Sequence, residues 1–155
     1  MKELLEYRKR LLKRFGQAAD EFRNTCLAVS DPFKSFQSGG WNVHQIAVHV
    51  RDVDNLVYGL RIHRTLEVDD PEFQNFDADP WMDEHYDRDE PLESILDEFT
   101  TSVHQTIKRL RDLPPEAWSR ESRHIVYGSG FTMQSWVERD LEHIQEHLET
   151  IKKAH

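Results

Sequence analysis

The chain has 155 residues and a formal net charge of −9, with 32% of its residues charged. That length makes one domain, residues 1–155, with a core of its own, and the acidity argues against a nucleic-acid surface and offers no attraction to an anionic membrane. No run approaches the ~20 apolar residues of a membrane span, no secretory leader is visible at the N-terminus, and the single cysteine excludes an internal disulfide, so a reducing, cytoplasmic setting is expected.

The first helix is predicted over residues 2–28, where Leu4, Leu11, Phe15, Ala18, Phe22, Cys26 and Val29 form one stripe before Asp31-Pro32 stops it. Cys26 lies on that stripe and reads as a small core hydrophobe. The second helix is predicted from Asn42 to about Glu67. Asn42 with Gln45 resembles a capping box, and the apolar face Val43, Ile46, Val50, Val53, Val57, Leu60 is broad enough for two neighbours.

Residues 68–90 form an unusually long link carrying Phe73, Phe76, Trp81 and Tyr86. A crossover of that length lets the helices on either side of it run parallel. Its aromatics suggest that it packs on the bundle, either as a cover over one end or as a pocket wall. The third helix begins at Pro91, a favoured first position for proline. It carries Leu92, Ile95, Leu96, Phe99, Val103, Ile107 and Leu110, and ends before Pro114-Pro115. The fourth runs from Thr132, a plausible N-cap, through Met133, Val137, Ile144, Leu148 and Ile151 to the C-terminus. No strand alternation stands out. Four long amphipathic helices make an all-α four-helix bundle with a crossover between the second and third.

His143 and His147 are four residues apart on the fourth helix, so both imidazoles leave the same face. That is how one helix offers two nitrogens to one metal ion. His49 sits inside the second helix and supplies a third if the two helices are neighbours. Three protein ligands leave a coordination position open, as in a catalytic centre. The bland reading is a set of hydrogen-bonded boundary and core histidines. His44 and His104 fall toward solvent on their helical wheels, and His63, His85 and His155 lack spaced partners. His124, in a predicted loop, is a candidate for lining a pocket.

Several segments resemble, in order, the DinB/YfiT-like superfamily of metalloenzymes. They are Trp41-Asn42-Val43-His44-Gln45-Ile46-Ala47-Val48-His49, then Asp54 and Arg61-Ile62, then Phe76-Asp77, Trp81 and Tyr86. Trp118-Ser119-Arg120 and the stretch from His124 through Gly128 to Thr132 follow, and the series ends with His143, His147, Leu148 and Ile151. The resemblance implies a four-helix bundle holding a divalent ion, zinc or nickel, through His49, His143 and His147. It also implies a homodimer and a small-molecule substrate. Family members of known activity are thiol-dependent S-transferases and isomerases that use low-molecular-weight thiols. One position departs from the pattern: an Asp often follows the first histidine of the last helix, and here that residue is Ile144. Asp140, one turn earlier, is the expected carboxylate partner for a ligand imidazole.

An open three-histidine centre acidifies bound water toward ~7 or holds a thiol as thiolate. The expected function is a metal-dependent S-transferase or hydrolase acting on a small electrophile. Trp136, Trp81 and Tyr86 are expected to line its pocket, and Asp140 and His124 to support the centre. The alternative is a non-catalytic metal- or small-molecule-binding module associated with stress.

Overall fold

The computed structural model describes Met1–His155. In chain order its helices are α1 (Lys2–Ala28), α2 (Val43–Val53), α3 (Gly59–Glu67), α4 (Ala78–His85), α5 (Leu92–Arg111) and α6 (Met133–Ala154). A π-helical turn, Asp54–Tyr58, joins α2 to α3 without a break, so α2–α3 is the predicted second helix. The capping box forms: the Asn42 side chain accepts from the Gln45 N–H at 2.9 Å, and Gln45 Oε1 accepts from the Asn42 N–H at 3.0 Å. Thr132 caps α6, accepting from the Ser135 N–H at 3.1 Å.

α1 packs between α5 and α6, and α2–α3 packs between the same two helices from the opposite side, so the first two helices are diagonal. Contacts along α2–α3 and α5 climb together, from Asp54 with Ser102 to His63 with Thr106 and Glu67 with Arg109. The two run parallel, as the long crossover permits. Phe15, Phe22, Ile95, Leu96, Phe99, Val137 and Ile144 fill the core. Burial of side chains of this size is the main favourable term in folding. Cys26 lies in the core, where burial pushes its thiol up to about 12.

Three features depart from the sequence reading. A small sheet exists: β1 (Glu72–Phe73) pairs in parallel with β2 (Glu121–His124), which pairs antiparallel with β3 (Gly128–Thr132). It ties the crossover to the α5–α6 link. His44, placed in solvent by its wheel position, is buried under the crossover. Its Nδ1 lies 2.6 Å from the Tyr86 hydroxyl and its Nε2 2.7 Å from the Glu90 carbonyl. Leu60, expected on the apolar face, is 45% exposed. The π turn holds one extra residue, which rotates everything after it by about 100°. Ile62 therefore turns inward and Leu60 outward, while Arg61 stays buried between them.

Candidate metal centre and its cavity

α2 and α6 lie antiparallel and bring three imidazoles together. His49 Nε2 is 3.0 Å from His143 Nε2, and His147 Nε2 is 3.1 Å from the same atom. One ring nitrogen from each lies within 4.8 Å of the others. Trp41 covers His49, with ring centroids 4.8 Å apart, and Tyr58 flanks His143 at 5.7 Å. Burial, then the neighbouring His147, lowers His49 to about 4. Burial, then His147 and His49, lowers His143 to about 3. Burial also lowers His147. The rings are therefore neutral at pH 7, with lone pairs available.

These residues fit a divalent cation. A neutral imidazole carries one N–H, so three Nε2 atoms facing one another cannot all satisfy each other. An ion about 2 Å from each nitrogen, the usual zinc–imidazole distance, spans separations of this size. His143 Nδ1 is buried and has no partner, so the polar contacts of that ring all lie on its Nε2 side.

Asp140 does not pair with His143. Its carboxyl meets that of Asp54, which also accepts from Ser102 Oγ at 2.8 Å. Burial first, then the Asp54 charge, raises Asp140 well above the usual carboxylate range. Neither Asp140 oxygen has a hydrogen-bond partner, and the raised pKa favours its protonated form. Asp54 follows Ala47 and Val50 on the buried face of α2.

A cavity of about 360 Å³ opens beside the cluster, lined by His49 and His143 together with Tyr58, Arg61, His124, Phe131, Trp136 and Arg139 among others. Trp136, an expected wall, is there, stacked on Phe131 with centroids 4.8 Å apart. Its indole N–H donates to Ser122 Oγ at 2.8 Å. His124 is there too, buried on β2. Its Nδ1 accepts from the Val126 and Tyr127 N–H groups at 3.0 and 3.3 Å, so the ring proton sits on Nε2.

Trp81 and Tyr86, expected in the wall, are not among the lining residues. Trp81 stacks on His85 and donates its indole N–H to Asp52 Oδ2 at 3.1 Å. Tyr86 binds His44. Crossover aromatics were a sound signal for packing but carried no direction. Arg61 and Arg139, absent from the sequence-based list of site residues, do line the cavity. A signal for Arg139 existed: Arg139, His143 and His147 recur every four residues on one helix face. For Arg61 the signal was the Arg61-Ile62 pair of the family resemblance.

The arrangement defines a class: a helical bundle carrying a three-histidine centre suited to a divalent metal, beside a small-molecule cavity. The chain belongs to the DinB superfamily, whose sequence profile matches residues 3–151. It is 30% identical over 95 residues to a protein of Oceanobacillus iheyensis named as a candidate metal-dependent hydrolase. That match spans 61% of this chain and 54% of the relative, so it covers about half of the relative's length. The fold matches YfiT from Bacillus subtilis, described as a probable metal-dependent hydrolase with an unusual four-helix bundle topology. The TM-score is 0.85 at 17% identity, covering 96% of this chain and 86% of that one.

Proposed function

We propose that this chain is a divalent-metal-dependent hydrolase of a small molecule, with the ion held by His49, His143 and His147. The observation that carries the reading is the convergence of three neutral Nε2 atoms beside an open cavity. The names of the relatives support the reaction class. Imidazole donors suit zinc and nickel alike. When bound, such an ion supplies Lewis-acid polarisation and acidifies water or a thiol. The chain's own residues do the rest. Trp136 and Phe131 form an apolar wall for the substrate. His124 presents an Nε2–H donor. A cavity of about 360 Å³ limits the substrate to small molecules.

Thiol transfer is the second reading, and its thiol would come from outside the chain. Cys26 is buried and held as a thiol, so a thiol reaction in this cavity would use an external low-molecular-weight thiol. A homodimer and a cytoplasmic location complete the proposal. Light scattering at micromolar concentration tests the dimer, with a monomeric mass counting against it. No helix is long and apolar enough to cross a membrane.

The test uses protein loaded with cobalt. Under the hydrolase reading, a panel of small esters and amides is cleaved, and the His143→Ala variant loses that activity together with the ion. A thiol that perturbs the cobalt spectrum and is consumed with an electrophile moves the assignment to S-transferase. Binding of the ion with neither reaction leaves a non-catalytic module.

A further inference from the structure

We propose that the cavity beside the histidines is an oxyanion subsite, in which Arg61 and Arg139 hold a carboxylate or phosphate group of the substrate. This rests on the histidine cluster being the reacting centre.

The first argument is charge. The chain carries 29 acidic residues against 20 Lys and Arg. Even so, no Asp or Glu is among the 14 residues lining this cavity, while two arginines are. Arg23, Arg51, Arg109, Arg120 and Arg123 each pair with a carboxylate. Arg8, the other buried arginine, spends its donors on the Gln134 side chain and the Pro115 carbonyl. Arg61 and Arg139 pair with no carboxylate, and both line the cavity. Arg61 is 8% exposed, and a guanidinium removed from water without a counter-anion is unfavourable. An incoming anion would supply the missing charge.

The second argument is placement. The Arg61 guanidinium lies over Trp136, 4.8 Å from the ring centroid, with Phe73 at 5.7 Å and Tyr58 at 6.0 Å. Its Nη2 donates to the Gln74 carbonyl at 2.9 Å. Aromatic faces and one anchor fix the planar fork, which is the geometry that recognises an oxyanion through paired N–H donors. Arg139 lies over Phe131 at 5.2 Å, on the same aromatic stack. The His124 Nε2–H and the Asn75 amide add neutral donors to the same cavity. Burial, followed by the charges of Arg61 and Arg139, lowers the pKa of His124, so all three groups share one field. Every polar group that Arg61, Arg139 and His124 offer the cavity is a donor, and the Phe131–Trp136 stack beside them suits a flat apolar body. The substrate class is a small, partly apolar molecule with one oxyanion, its reacting bond reaching toward His49 and His143.

The test is calorimetric titration of the chelator-treated full chain with benzoate, phenyl phosphate and the neutral isostere benzamide. Removing metal first prevents the anion from binding an ion instead. At least one anion is expected to bind about tenfold tighter than benzamide, and Arg139→Met to remove about that factor. Arg61→Met is expected to act likewise, with Arg61→Lys losing less. Arg139 is exposed, so its variant carries the test if loss of Arg61 disturbs folding. The stronger of the two anions identifies carboxylate or phosphate as the group recognised. Anion binding no tighter than benzamide, or unchanged in Arg139→Met and Arg61→Met, overturns the subsite. Metal content of the untreated protein is measured in parallel. An anion site without metal uptake sinks the catalytic reading alone, and metal uptake without anion preference sinks the subsite alone.

Discussion

A Cβ added to Gly59 would lie 2.3 Å from the Asp54 carbonyl oxygen. That close approach is the π turn itself, since the Gly59 N–H bonds to the Asp54 carbonyl. An alanine in an ordinary helix position would be favourable by up to about 1 kcal/mol over glycine. Here the clash is with backbone and outweighs that gain. Gly59→Ala is expected to destabilise the fold by about 1–3 kcal/mol, read as a lower midpoint in thermal unfolding. It should also disturb anion binding, because the turn sets where Arg61 sits around the helix. A stabilised variant would mean that the turn is not locked by Gly59.

Metal analysis of protein purified without added ions should find one divalent ion per chain. His143→Ala or His147→Ala should each abolish retention, because two imidazoles make a weak site. Reloading wild type should raise its stability by about 2.7 kcal/mol at a hundredfold excess over Kd. Full occupancy in the variant lacking all three imidazoles would end the assignment.

Asp140 gives a pH signature with a definite sign. Its folded pKa is raised well above the unfolded value, so the native chain keeps a proton that the unfolded chain has released. The stabilising contribution is fully present below the unfolded value of about 3.9. It is lost as pH rises through the raised folded value. Asp140→Asn removes that dependence. Between pH 4 and 8 its stability in urea should improve relative to wild type. Equal slopes for the two proteins would show that the pair is ionised in the fold.

Tyr86 acts on stability and not on the cavity. Glu90 offers a carbonyl to His44 Nε2, so that nitrogen carries the proton and Nδ1 accepts from the Tyr86 hydroxyl. Tyr86→Phe leaves a buried acceptor without a donor, at about 1–2 kcal/mol, measurable by urea unfolding with metal content unchanged. A loss of metal with unaltered stability would restore Tyr86 to the site.

The four bundle helices, the caps at Asn42 and Thr132 and the His143–His147 pair were legible because each follows from local spacing, and His49 was singled out by the family resemblance. What was not legible came from distant chain. His44 looks solvated on its own helix and is buried only because Tyr86 and Phe33 fold over it. β1 has two residues, too few for alternation to register, and exists only through its pairing with β2. Leu60 reads as inward on an ideal helix, and one inserted residue turns it to solvent. Asp140 was assigned to the nearest histidine along α6, whereas its partner Asp54 comes from another helix.

The diagonal placement of α1 and α2 has a kinetic consequence. During synthesis these two helices emerge first but share few contacts, and α5 must appear before either gains a large neighbour. α6 touches both and emerges last. The bundle therefore closes through contacts far apart in sequence, which slows folding relative to a bundle of consecutive neighbours. Until α6 docks, His49 faces an open groove, and the nascent chain exposes the apolar faces of three helices to chaperones and to other copies of itself.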